Sequence, residues 1–276
     1  MRRIRLETAA LYVTASVFLA FTLFPVYWAI NSSLQTGSDL FKVNYIPPQP
    51  TLENYWSVFK SQPFGQNILN SLLVASLTVT ASLGLAVFAS YALGRVRFLG
   101  HRLLLYTVLV VTMFPQVSIL AGMLELIRTL GLYNNVMGLA LSYLLFTLPF
   151  TIWILTNFMR NIPAEIEEAA LMDGAPPWQV ITRILLPIVR PGLVTAGLLA
   201  FVAAWNEFLF ALTFTLTNEA RTVPVAIALL SGANQYELPW GQIMAASVIV
   251  TIPVVLIAVA FQRRIIAGLT AGAIKR

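Results

Sequence analysis

Glu168-Ala169-Ala170-Leu171-Met172-Asp173-Gly174, continuing to Ile184-Leu185-Leu186-Pro187, is a charged stretch set between two apolar runs of membrane length. Pro163 suits the first turn of a helix, where its missing N–H removes no helical bond. Glu165 and Glu167 then fall in the first turns, where the helix dipole favours carboxylates. Gly174 followed by Ala175-Pro176-Pro177 reads as a helix stop and a restart. The stretch therefore predicts a short helix, a sharp glycine turn and a second short helix at a membrane surface. A helix that merely rests on lipid carries a basic polar face; this one is acidic.

The flanking composition makes the membrane reading general. Of 276 residues, 58% are hydrophobic and 10% charged, against about 25% charged in a soluble domain. Six apolar runs, at about 9–31, 67–93, 103–127, 136–159, 191–214 and 241–262, each reach the roughly 20 residues that a helix needs across a bilayer. Helices are expected because lipid leaves an unpaired backbone unsatisfied, and no alternating ten-residue strands occur. The fold class expected is all-α: a single polytopic membrane domain over 1–276 with six transmembrane helices and one surface loop at 160–190. The basic start Arg2-Arg3-Ile4-Arg5 resembles a signal sequence, but the apolar run behind it is too long to be cleaved and reads as a first span.

Charge sets the orientation. Arg2, Arg3, Arg5, Arg95, Arg97, Arg102, Arg160, Arg183, Arg190, Arg263, Arg264, Lys275 and Arg276 lie on one side of the spans, and Lys42, Lys60, Arg128 and Arg221 on the other. The first set is expected in the cytoplasm, with both termini and the 160–190 loop. The net charge of +6 is mostly this asymmetry, so no nucleic-acid surface is inferred. On the external side, Thr51–Phe59 reads as a short helix with Leu52, Tyr55, Trp56 and Phe59 on one apolar face, suited to the headgroup belt. The third external loop, about 215–240, carries Thr217–Arg221 and Gly232–Glu237, with a short apolar helix expected around Leu229-Leu230.

Enzyme chemistry finds no support. Lys60-Ser61 lacks the glycines of a nucleotide-binding loop. One histidine, His101, and no cysteine leave no His/Cys metal cluster. Inside the spans, Trp205-Asn206-Glu207 forms a polar and aromatic cluster. With about 1.5 Å of rise per residue from Pro191, Glu207 falls in the outer third of its span. A buried charge must face protein or water, so the cluster reads either as a wall of a substrate path or as a helix–helix contact. Glu207→Gln is expected to be mild on this reading. Met113 and Gln116 flank Pro115, a helix break that marks either a cavity or a packing kink. Glu125 lies near the outer end of the third span.

The spacing of Glu168-Ala169-Ala170, Gly174, Ile184 and Leu186-Pro187 resembles the "EAA" loop of bacterial ABC-importer permeases. Asn67-x2-Asn70-Ser71-Leu72, Trp205-Asn206-Glu207-Phe208 and the tail Gly268–Arg276 are similar to the shorter permease of the maltose-type carbohydrate importers. The resemblance implies that Glu168, Ala169, Ala170, Leu171, Met172, Asp173 and Gly174 couple the chain to cytoplasmic ATPase subunits. It also implies a second, similar permease, two ATPases that bind ATP and Mg, an external sugar-binding protein and a disaccharide or oligosaccharide substrate. The chain itself would hold no cofactor and would lie in the cytoplasmic membrane. The alternatives are an ion-coupled carrier, which needs titratable groups at mid-bilayer, and an uncoupled channel or scaffold subunit.

Overall fold

The computed structural model describes residues 2–230 and 238–273. Twelve helices account for most of them, and no strand occurs among the described residues. They are α1 (Arg2–Ser33), α2 (Glu53–Ser61), α3 (Phe64–Gly94), α4 (His101–Val111), α5 (Gln116–Thr129) and α6 (Val136–Arg160). They continue as α7 (Ala164–Met172), α8 (Pro177–Ile188), α9 (Arg190–Trp205), α10 (Leu209–Phe214), α11 (Val223–Ala228) and α12 (Trp240–Ala273). Within α1, α3, α6 and α12 lie segments long and apolar enough to cross a bilayer. Two bent pairs, α4 with α5 and α8 with α9, bring the spans to six when each pair is taken as one broken span. The described residues fall into two compact units, one drawn from Met1–Gly65 and Ala226–Ile252, the other from Gln66–Val225 and Pro253–Arg276.

In the first unit, α1 is exposed along its apolar length. The short helix α2 packs through the face opposite to its aromatic one. Asn54 and Val58 are buried, while Leu52, Trp56 and Phe59 point outward. Asn54 donates to the carbonyls of Ser33 and Gln35, both at 2.8 Å. These bonds satisfy the end of α1, where the last carbonyls have no helical partner. The outward aromatic face suits a headgroup belt.

In the second unit, α6 is the most enclosed span, with 56% of its apolar window buried. Its polar residues are the reason it can sit there. Thr147 bonds to Ser82 across to α3 at 2.8 Å, and Thr78 donates to the Ala140 carbonyl. Without a hydrophobic drive between helices in lipid, such contacts and close packing hold spans together. Gly192 lets α9 approach α6, since a β-carbon there would lie 2.6 Å from the Phe158 ring.

Two expected spans are not continuous. The third, read over 103–127, turns by 92° between α4 and α5. Pro115 lacks an N–H and disfavours helical backbone at Phe114, so the chain leaves the helix and restarts with Pro115 extended at the cap. The fifth, read over 191–214, stops at Trp205 and resumes at Leu209. In the loop expected to be the third external one, a helix forms over Val223–Ala228, upstream of Leu229-Leu230. The loop residues Gly232–Glu237 and the last three residues of the tail lie outside the described residues.

Candidate functional site

The loop after α6 forms the expected helix, turn and helix, and the hydrogen bonds show why the turn needs glycine. Gly174 has φ +83°. Its N–H bonds to the Leu171 carbonyl, and the Ala175 N–H to the Ala170 carbonyl, both at 3.0 Å. This pair of bonds closes the last turn of α7 and satisfies two carbonyls that the helix leaves open. A side chain at Gly174 would meet open space within this chain, so glycine is required here by backbone conformation alone. The second helix, α8, restarts at Pro177 and widens to a π-helix over Val180–Leu185. The wide turn lies just before Pro187, whose ring would clash with a carbonyl in a regular α-helical turn.

The loop has one buried side and one bare side. Ala170, Val180, Ile181, Leu185 and Val189 are buried, and Met159, Ile162 and Val189 join the cluster around Ala170 and Val180. Glu168, Ala169, Leu171, Met172, Asp173 and Gly174 are exposed, Met172 at 87%. Trp178 and Ile166 add exposed apolar surface beside them. The candidate coupling residues thus gather on one knob, apart from Ala170, which is the point where α7 is seated.

Glu167 does more than sit favourably in the helix dipole. Its carboxylate accepts from the Tyr91 hydroxyl at 2.6 Å and from Arg95 Nε at 2.7 Å. Arg95 also donates to the Ile162 and Pro163 carbonyls, and Arg160 to the Leu93 carbonyl. The C-terminal end of α3 is therefore bonded to α7 and to the turn that precedes it. Sequence reading missed this clamp, because Tyr91 and Arg95 lie more than 70 residues from Glu167.

The second candidate cluster lies at the break after α9. Asn206 is exposed and donates to the Val202 carbonyl at 2.8 Å. Trp205 is 4% exposed and stacks on Phe201 with ring centroids 5.7 Å apart. Glu207 is buried, and its two oxygens accept from the backbone N–H groups of Phe210 at 2.9 Å and Ala211 at 3.1 Å. It therefore caps α10, a helix start that otherwise leaves its first N–H groups unpaired. Tyr143, buried on α6, lies beside this carboxylate. Met113 and Gln116 stand at the elbow of α4 and α5, both exposed, and neither bonds to Asn206 or Glu207. Glu125 is exposed on α5.

A third set of contacts accounts for Asn67-x2-Asn70-Ser71. Asn67 donates to the Asn218 and Arg221 carbonyls at 2.7 and 3.0 Å, and Asn70 to those of Glu219 and Arg221 at 2.6 and 3.0 Å. Ser71 Oγ accepts from the Val223 N–H at 2.8 Å. The start of α3 thus grips the segment 218–223, which leads into α11.

Residues 82–270 match the family described as binding-protein-dependent transport system inner membrane component. The chain is 40% identical to the trehalose transport system permease protein SugB of Mycobacterium tuberculosis, covering 95% of this chain and 96% of that one. It is also 40% identical to the trehalose/maltose transport system permease protein MalG of Thermococcus litoralis, covering 100% and 99%. Among solved structures, a bacterial ABC transporter involved in the import of alginate aligns with a TM-score of 0.81 at 23% identity, covering 95% of this chain and 98% of that chain. That last likeness speaks to the fold.

Proposed function

Since the chain belongs to the family of binding-protein-dependent transport system inner membrane components, we propose that it is the membrane permease subunit of an ATP-driven importer of a trehalose- or maltose-like disaccharide. The sugar class rests on the two relatives at 40% identity over nearly their whole lengths. The knob carries the coupling role. It is an exposed apolar and acidic surface, Leu171, Met172, Asp173 and Glu168, at the tip of a helix whose other side is buried and whose turn is fixed by Gly174. A groove on a cytoplasmic ATPase is the natural seat for such a knob, with ATP and Mg bound there. In this reading two ATPases, a second homologous permease and an external sugar-binding protein complete the assembly, and both termini and the knob face the cytoplasm.

The mechanism follows from what the knob is tied to. ATP-driven closure of the ATPases displaces it. Glu167 passes the displacement to α3 through Arg95 and Tyr91. The cluster of Met159, Ile162, Val180, Leu185 and Val189 passes it to the inner ends of α6 and α9. Helices packed this closely shift as bodies, so the spans alternate between an inward and an outward opening. On the same reading the sugar passes Asn206, Met113 and Gln116, whose exposure leaves their polar and soft groups free. Trp205 and Glu207 hold that wall from behind. An ion-coupled carrier would need an ionisable group at mid-bilayer given over to the ion; the carboxylate of Glu207 serves instead as the cap of α10.

The test is purification by a tag on this chain from its native membrane. Two ATPase copies and a second permease should come with it. Proteoliposomes of that complex should take up labelled trehalose or maltose only with ATP and the binding protein. Uptake that persists without ATP and collapses with an ion gradient would overturn the reading.

A further inference from the structure

The coupling loop borders an open cavity of about 890 Å³ that the mechanism does not use. It lies where Gly94 ends α3, His101 begins α4 and Arg160 ends α6, at one end of two helices long and apolar enough to cross a bilayer. Arg95, Arg97, Arg102 and Arg160 line it, facing Glu167 and Glu168 of α7. Arg95 is neutralised by Glu167 at 2.7 Å. Arg97, Arg102 and Arg160 then stand against Glu168 alone, and among the described residues none of these four makes an ion pair. Three guanidinium groups against one carboxylate leave an excess of positive charge that an anion would balance, and the planar fork of arginine matches phosphate oxygens best.

The surroundings say where that phosphate comes from. Val96, Phe98 and Leu99 of the loop from α3 to α4 are exposed, Leu99 wholly so, and Leu103 follows on α4 at 71%. A soluble phosphate has no use for this apolar rim. A phospholipid does, because its acyl chains lie beside its headgroup. Basic pockets at the inner ends of membrane helices bind anionic headgroups by this combination.

We infer that this cavity seats the phosphate of an anionic phospholipid, held by Arg97 and Arg102. The lipid would lie beside Ala164 at the start of α7, away from the tip that seats in the ATPase, so the coupling loop would be set partly by the membrane's anionic lipid content.

The assembled transporter, exchanged into nanodiscs of phosphatidylcholine with a graded fraction of phosphatidylglycerol and released for native mass spectrometry, reads the occupancy. The wild type should retain phosphatidylglycerol in preference to phosphatidylcholine. Removing each arginine should weaken retention by about five-fold, so Arg97→Gln with Arg102→Gln should abolish the preference. Arg97→Lys with Arg102→Lys, which keeps the charge, should preserve most of it. Equal retention by the glutamine pair overturns the site. Displacement of the lipid by millimolar inorganic phosphate makes this a soluble-anion pocket and also overturns it. Loss of ATPase subunits from the glutamine pair with lipid retention unchanged assigns the arginines to the ATPase contact instead.

Discussion

Arg95, just past the end of α3, holds Glu167 of α7 through an Nε–Oε2 contact of 2.7 Å, with the two side chains 9% and 16% exposed. The pair is enclosed enough to escape most solvent screening, and Tyr91 takes the other carboxylate oxygen. Together the two bonds tie α7 to the end of α3.

Glu167→Gln should therefore uncouple without unfolding. The amide keeps the shape but loses hydrogen bonds to a charged partner, which contribute about 1.5–3 kcal/mol. Membrane insertion and basal ATPase should persist, while stimulation of the ATPase by the binding protein should fall several-fold. Arg95→Gln should do the same, and the double variant should be no worse than either alone. Losses that simply add would show that the two residues do not act as one unit.

Gly174 separates backbone strain from surface occlusion. With φ +83° and open space around it, Gly174→Ala meets only the conformational cost, about 1–2 kcal/mol. Asparagine tolerates this backbone better than other side chains, so Gly174→Asn should preserve the turn. Gly174→Leu and Gly174→Asp should abolish uptake while the chain still inserts. If Gly174→Asn also loses uptake at normal expression, the obstruction lies at the partner's surface. Near-normal uptake by Gly174→Leu would remove the coupling role from this knob.

The loop was readable because its signals are local: proline at a start, carboxylates in the first turn, glycine at the stop. The spans were readable for the same reason, since each is its own run of apolar residues. What escaped the sequence depends on distant partners. Asn67 and Asn70 meet carbonyls about 150 residues away, and nothing in their neighbourhood predicts that. Pro115 announced a break, but the 92° turn is not written in the proline. Glu207 was read as a charge embedded in one helix. Its spacing to Phe210 and Ala211, three and four residues on, is also that of a cap, and the structure has it as one.

Orientation is tested by accessibility. Cysteines placed singly at Ser57 and Thr217 should react with an impermeant maleimide in intact cells. One at Gln179 should react only after permeabilisation. The lysine and arginine asymmetry across the spans motivates this, and the reverse pattern would sink it.

Asn70→Asp turns a donor into an acceptor at nearly constant shape. The new carboxylate would face the carbonyls of Glu219 and Arg221, now 2.6 and 3.0 Å from the amide nitrogen. Breaking such bonds costs about 1–3 kcal/mol where the groups stay buried. Amide exchange at Val223, whose N–H is held by Ser71, should rise by about ten-fold or more. Exchange at the inner loop, around Ala170, should not change. An unchanged rate at Val223 would mean the segment 218–223 is held by other contacts.

The break at Asn206-Glu207 carries the last prediction. On the substrate-path reading Glu207→Gln is mild for transport, since glutamine keeps shape and polarity; as a cap it differs. Glutamine has one acceptor oxygen where the carboxylate has two, so either the Phe210 or the Ala211 N–H loses its partner. A lost cap costs about 0.5–2 kcal/mol, and Glu207→Ala should cost more than Glu207→Gln because both N–H groups are orphaned. The loss should appear as lower thermal stability of the detergent-solubilised complex, with uptake falling in step with the complex lost. Asn206 should behave differently. It is exposed, and its side chain donates to the Val202 carbonyl, four residues back. Asn206→Leu should leave stability nearly unchanged and lower sugar uptake per assembled complex if the sugar passes there. Uptake per complex that matches the wild type would remove Asn206 from the path and leave the break after α9 with a structural role alone.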